Sequence, residues 1–219
     1  MKSWSFSSLI NYERCPHTLS FPYKRQNIDA ASNPIAQRGF DVHKLLATWL
    51  TNDQTIEELN FEGVDFLKFN LPALKASMPI VEEKYGLTGE WEETSYKEAW
   101  LKIIPDAMVI RNEGITIIDF KTGKRQYKEI KHAQQMQLYA CAMSSLYPSH
   151  LAIDTELWYL DEGKIHRQSY PVKRLDGMRL RLHNRALTML SDEELRPKPN
   201  KSNCKFCNFK ERCEYAYEE

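Results

Sequence analysis

Apolar positions change their spacing several times along the chain, and each change predicts a different element. Leu9, Ile10 and Tyr12, in the run from Ser7 to Cys15, predict a short helix that stops before Pro16, whose ring cannot continue it. After Pro34, the residues Ile35, Val42, Leu45, Leu46, Trp49 and Leu50 recur at helical spacing, so residues 34–50 read as an amphipathic helix. Residues 55–85 also read as helical, broken near Pro72 or Pro79. From Trp91 the period shortens: 100–104, 107–110 and 115–120 read as strands, with Asn112-Glu113-Gly114 turning between the last two. Helical spacing returns at residues 130–146, which place Gln135, Leu138, Tyr139 and Ala142 near one face. Residues 153–160 and 164–170 read as a strand pair about Asp161-Glu162-Gly163, and 172–190 as a basic helix. This order predicts a mixed α/β fold, with an antiparallel hairpin feeding a crossover helix and helices flanking a mixed sheet. The broken run Arg196-Pro197-Lys198-Pro199 separates an expected main domain, residues 1–195, from a short cysteine-rich segment, 196–219.

Composition narrows the function classes. Hydrophobic residues make up 42% of the 219, enough for a real core without staples. No apolar run is long enough to span a membrane, and the start of the chain lacks the apolar stretch of a secretory signal, so an intracellular, cytoplasmic protein is expected. Thirty basic residues balance thirty acidic ones, so any nucleic-acid binding must rest on local positive charge set against an acidic site. Five cysteines, an odd number without a secretory context, read as metal ligands with one left over.

The densest chemistry is Pro105-Asp106 followed by Ile118-Asp119-Phe120-Lys121. In a strand, Asp119 and Lys121 share a face while Phe120 points into the core, and the hairpin brings Asp106 alongside. Two carboxylates about 5 Å apart repel by roughly 3 kcal/mol at an effective dielectric near 20, so something positive has to hold them. A divalent cation such as Mg²⁺ or Mn²⁺ suits oxygen ligands of this kind, and Lys121 then orients a water or balances charge on a phosphate. Solvated strand-end aspartates with a surface lysine are the bland alternative.

Three further runs tip that balance. Asp119-Phe120-Lys121-Thr122-Gly123, Gly39-Phe40-Asp41-Val42-His43 upstream and Gln135-Met136-Gln137-Leu138-Tyr139 downstream stand in a fixed order. Together with Pro105-Asp106 they resemble the D-[FY]-K-[TS]-G, G-x-x-x-H and Q-x-x-x-Y motifs of the PD-(D/E)XK nuclease superfamily, in its RecB-like branch. The resemblance implies a restriction-endonuclease-like sheet with Asp106, Asp119, Lys121, Gln135 and Tyr139 as catalytic residues. It also implies that His43, Asp106, Asp119 and the Phe120 backbone carbonyl hold the Mg²⁺ or Mn²⁺ ion. Glu92 and Glu93 are weaker candidates for a further acid.

Cys204, Cys207 and Cys213 have the spacing C-x₂-C-x₅-C, and three thiolates so close suit a thiophilic metal. A fourth ligand comes from Cys15 or Cys141; the latter lies in an apolar helix and reads as a buried free thiol. The pattern, with Ser7-x-Leu9-x-x-Tyr12-x-x-Cys15-Pro16, resembles the iron–sulfur subgroup of these nucleases that includes AddB and the CRISPR-associated adaptation nucleases. That resemblance implies a 4Fe–4S cluster on Cys15, Cys204, Cys207 and Cys213, packing the C-terminal segment with the N-terminal helix; zinc (Zn²⁺) is the alternative.

Basic residues gather just past the aspartate strand (Lys124, Arg125, Lys128 and neighbours), in the helix from Lys173 to Arg185, and near the C-terminus. The first group is the expected DNA contact, and Tyr127 and Phe206 are candidate stacking rings. The expected function is a metal-dependent deoxyribonuclease, an exonuclease acting on DNA ends or single strands, with a helicase, recombinase or integrase subunit as a possible partner. The alternative is a non-catalytic DNA-end-binding subunit of a recombination, repair or spacer-acquisition complex.

Overall fold

The computed structural model describes residues 3–21, 34–52, 64–112, 114–123, 129–205 and 207–218. Helix α1 (Phe6–Arg14) begins at Ser5, whose side chain accepts from the Ser8 amide while the Ser8 hydroxyl oxygen accepts from the Ser5 amide. It ends at Cys15, and Pro16 opens a 3₁₀ turn, Pro16–Ser20. Helices α2 (Pro34–Thr51) and α3 (Val64–Ala76) follow. The remaining order is β1 (Ile80–Val81), β2 (Tyr85–Leu87), β3 (Glu93–Thr94), β4 (Leu101–Ile103), β5 (Ala107–Arg111), β6 (Gly114–Lys121), α4 (Glu129–Leu146), β7 (Ala152–Tyr159), β8 (Lys164–Pro171), α5 (Leu175–Ser191) and α6 (Lys201–Lys205).

The main sheet has the order β1-β5-β6-β7-β8, in which β6 and β7 run parallel and the other neighbours antiparallel. The parallel pair needs a crossover, and α4 supplies it. Alternation along the strands sorts two cores. Ala107, Val109, Ile118, Phe120, Trp158 and Leu160 face α2 and α3, which bury Val42, Leu46, Trp49, Leu67 and Leu71 against them. Met108, Ile115, Ile117, Ile153, Leu157 and Tyr159 face the opposite layer, with α1, α4, α5 and the smaller sheet. The catalytic-type side chains at 119 and 121 share this second face, as their period requires.

Three expectations about elements change. The strand predicted at 100–104 is β4, and it belongs to a separate three-stranded sheet ordered β3-β2-β4. It pairs with β2, and Trp4 clamps its edge: the Trp4 amide donates to the Trp100 carbonyl at 2.8 Å and the Lys102 amide to the Trp4 carbonyl at 2.9 Å. The helix predicted over 55–85 is confined, within the described residues, to α3; residues 53–63 lie outside them and β1 and β2 occupy the rest. Pro72 does not break α3, because burial of Leu67, Leu71 and Leu74 outweighs a proline penalty of about 3 kcal/mol. The chain leaves the helix at Met78, which adopts a positive φ of 52° just before Pro79.

At the far side, the C-terminal segment packs onto α1. Arg185 makes a two-pronged ion pair with Glu13, both bonds 2.7 Å, and the Tyr12 hydroxyl donates to Asp192 at 2.8 Å. The Asn203 amide group donates to the Arg14 carbonyl, and Phe21 stacks on Phe209 with ring centres 4.7 Å apart. Two arginines of the basic helix α5 are thereby structural: Arg185 in that pair, and Arg179 donating to Ser144 beside the Trp91 ring. Among the described residues, no helix is long and apolar enough to cross a membrane.

Candidate active site

The C-terminal end of β6 is where both layers meet the sheet edge. Asp119 is 2% exposed, and its Oδ2 faces the Lys121 Nζ at 2.6 Å. At that distance the contact is a buried ion pair, and the ammonium is what balances the carboxylate charge. Gln135, one turn before Tyr139 on α4, closes a ring over the pair. Its Nε2 donates to Asp119 Oδ1 at 3.0 Å, and its Oε1 accepts from Lys121 Nζ at 2.9 Å. The same Nε2 reaches the Tyr139 hydroxyl at 3.0 Å, and that hydroxyl donates to the Ile104 carbonyl. The i, i+4 spacing puts both α4 side chains on the strand end.

Asp106 immediately precedes β5 and is held from two sides. Its Oδ2 accepts from the Phe120 amide at 2.7 Å, and its Oδ1 lies 3.0 Å from the Nδ1 of His43, which α2 delivers from the opposite layer. Phe120 is buried as expected, and its ring meets the His43 ring edge-on. Electrostatics follow from this crowding. Burial pushes the Asp119 carboxyl above its ordinary range, against the pull of Lys121 and with the push of Asp106. Burial works to lower the His43 imidazole, but the neighbouring Asp106 carboxylate outweighs it and holds the ring above its ordinary value.

The glycines of two motifs have steric reasons. A Cβ on Gly39 would sit 3.2 Å from the Thr122 hydroxyl oxygen, a tight contact that the bare position avoids where α2 passes the end of β6. Gly123 has φ +84°, the left-handed region that favours glycine. Sequence reasoning missed the group that ties these two points together. Asp161, in the 3₁₀ turn after β7, accepts two bonds from the Arg38 guanidinium, at 2.7 and 3.0 Å, and one from the Gly123 amide at 2.6 Å. Only its neighbours in space identify it, since it stands 123 residues from Arg38.

Burial pushes the Asp161 carboxyl up, but Arg38 and the Gly123 amide outweigh it and hold it below its ordinary value. A depressed carboxylate stabilises the fold above its unfolded pKa and loses that contribution as pH falls through its folded pKa. Asp161→Asn is therefore expected to cost about 1–2 kcal/mol near neutrality. The difference from wild type should shrink below the ordinary aspartate range, 3.8, in urea titrations run down the pH scale.

Of the other predicted residues, Glu93 is exposed on β3 of the three-stranded sheet and Glu92 is exposed just before it. Lys124, Arg125, Lys128, Tyr127 and Phe206 lie outside the described residues. Cys15, Cys204, Cys207 and Cys213 line one concavity of about 370 Å³ between the 3₁₀ turn and the C-terminal segment. The Lys198 amide donates to the Cys15 sulfur and the Tyr217 amide to the Cys204 sulfur, both at 3.3 Å. Cys141 is elsewhere, buried in α4, where burial pushes its thiol up to about 12 and keeps it protonated. Among the described residues, no group of three or more His, Cys, Asp or Glu side chains is drawn together as a metal ion would hold it. The donor chemistry fits nonetheless: carboxylate oxygens and an imidazole for a hard divalent ion at one end, four sulfurs for a soft metal at the other.

A solved structure titled "Crystal structure of SSO0001" matches with a TM-score of 0.52 and 18% identity, covering 100% of this chain and 89% of that one, a likeness of fold. No curated protein sequence matches the chain. The family model of the PD-(D/E)XK nuclease superfamily matches residues 3–214, across both the β6 site and the cysteines. With most of its length matched, the chain belongs to the PD-(D/E)XK nuclease superfamily.

Proposed function

We propose that this protein is a divalent-metal-dependent deoxyribonuclease of the RecB-like branch, an exonuclease working on DNA ends or single strands. The observation that carries the reading is the convergence at the end of β6. There the Asp119–Lys121–Gln135 ring lies beside the His43–Asp106 pair, so two carboxylates, an imidazole and an ammonium converge on one strand end. His43, Asp106, Asp119 and the Phe120 carbonyl would hold Mg²⁺ or Mn²⁺. The N–H and C=O of a strand residue point to the same side, and the Phe120 N–H already points at Asp106. The ion, when bound, supplies Lewis acidity to the scissile phosphate and a more acidic water.

The chain's own residues do the positioning. Lys121, held by Asp119 and Gln135, presents its ammonium where negative charge grows on the phosphate oxygens as water adds to phosphorus. The new P–O bond forms as the bond to the 3′ oxygen breaks. The attacking water gives up a proton to solvent and the 3′ oxygen takes one from it, leaving a 5′-phosphate and a 3′-hydroxyl. Tyr139, bonded to the Ile104 carbonyl, fixes the rotamer of Gln135 and through it the lysine.

The same reading gives Cys15, Cys204, Cys207 and Cys213 a 4Fe–4S cluster, as in the iron–sulfur subgroup, with zinc as the competing occupant. Support comes from the shared concavity and from the two amides aimed at sulfur, the donors that a metal-bound thiolate accepts. The five free cysteines suit a reducing compartment such as the cytoplasm.

The test is digestion of single- and double-stranded DNA labelled separately at its 5′ and 3′ ends, with Mg²⁺ or Mn²⁺ and with chelator. Metal-dependent release of label, lost in Lys121→Ala, is expected. Cleavage that survives in Lys121→Ala, or binding without cleavage under either metal, would refute the enzyme; the second result favours an end-binding subunit.

A further inference from the structure

A second concavity adjoins the β6 site on the same face of the sheet. Cα register pairs Asp119 with Leu157 on β7, and Leu157 with His166 on β8; one row further, Lys121 pairs with Tyr159. Side chains at paired positions share a face, so Leu157 and His166 lie one and two strand spacings from Asp119, about 5 and 10 Å. The first turn of α4 lies above that row. Between them is an open cleft of about 230 Å³ lined by Glu129, Ile130, Ala133, Leu157, Tyr159 and His166.

The cleft has a definite chemistry. Leu157 and Tyr159 are 3% and 2% exposed and form its floor, and the Tyr159 hydroxyl is fixed by the His132 Nδ1 at 3.1 Å. Ile130 and His166 are exposed at the rim, an apolar side chain and a flat ring. An apolar floor with a ring at the mouth suits a flat heteroaromatic group, and about 230 Å³ is room for one such ring. Nothing in the Asp119–Lys121–Gln135 ring or the His43–Asp106 pair uses these residues.

We infer that this cleft seats the unpaired base of the nucleotide next to the scissile phosphate. The inference rests on the nuclease reading for the phosphate and adds the place where the neighbouring base is held. A base stacked and paired in a duplex cannot enter between α4 and the sheet, so the seat selects single-stranded or frayed DNA. Recognition is by shape and stacking, so it tolerates different bases.

The experiment compares a thymidine oligonucleotide with an abasic oligonucleotide of the same length. Without divalent metal, fluorescence anisotropy should give at least about tenfold tighter binding of the base-bearing strand by wild type. Ala133→Phe, which fills the cleft, and His166→Ala, at an exposed edge-strand position that leaves folding unaffected, should each lose most of that preference. With Mn²⁺, the bond beside a single abasic position should be cut about tenfold more slowly by wild type. Equal binding of the two strands by wild type, or a preference undiminished in both variants, overturns the base seat. Preference without cleavage of any strand upholds the seat and removes the nuclease reading instead.

Discussion

Asp119→Asn is expected to lower DNA cleavage by about a thousandfold or more while melting no lower than wild type at neutral pH without added metal. The substitution keeps the volume and an oxygen for Gln135 but removes the charge. Ionised Asp119 is 2% exposed, and its burial costs stability that the neighbouring ammonium only partly offsets. A group whose folded pKa is raised contributes its stability below the unfolded pKa and loses it as pH rises toward the folded one. The wild type should therefore lose stability relative to Asp119→Asn as pH climbs from about 4 toward neutrality. Lys121 keeps the Gln135 oxygen and is 17% exposed, so it is not stranded in the variant. Adding Mn²⁺ should raise the melting temperature of wild type and not of Asp119→Asn. Full cleavage by the variant, or an equal Mn²⁺ response in both proteins, would show that this carboxylate is not the site's centre. A buried, costly carboxylate retained at a strand end is the usual mark of function opposing stability.

The second large effect belongs to the cysteines. Cys15→Ala and Cys207→Ala, purified without oxygen, are each expected to lose the brown colour of an iron–sulfur cluster and about 3–5 kcal/mol of stability. A metal held by the proposed ligands would tie Cys15 to the C-terminal cysteines across roughly 190 residues, and closing so long a loop would restrict the unfolded chain strongly. Cleavage should fall with the fold, since α1 and the C-terminal segment brace α5 through Glu13–Arg185 and Tyr12–Asp192. Cys141→Ala is the control: its protonated thiol lies outside the concavity, so colour should persist with a cost of only about 1 kcal/mol for the small cavity. Iron and zinc analysis of the wild type separates the two metals. A colourless wild type, or Cys15 and Cys207 variants that melt like wild type, would remove the structural cluster.

These outcomes depend on features of unequal visibility. The helices 34–51 and 129–146 and the strands on either side of the crossover are close to where periodicity predicts them, because each buries one continuous face. The site motifs were legible for the same reason: Asp119 and Lys121 share a face by strand period, Gln135 and Tyr139 by helix period. Residues 100–104 form a strand as their composition predicts, but that composition says nothing about the sheet they join. The answer lay with Trp4 and β2, remote in sequence. Asp161 gave no local signal at all, being one acidic residue in an acidic turn.

Local spacing and residue type by themselves determined the elements, their buried faces and the kinds of chemistry on offer: carboxylates with a lysine, and thiols grouped at the C-terminus. Only the tertiary structure decided that His43 reaches Asp106 from the opposite layer, that Arg38 and Gly123 share Asp161, and that a cleft adjoins Asp119 across β7 and β8. The physical reason is range. Dihedral preference and periodicity act within a few residues, whereas these contacts are set by how packed layers meet, and no window along the chain contains both partners.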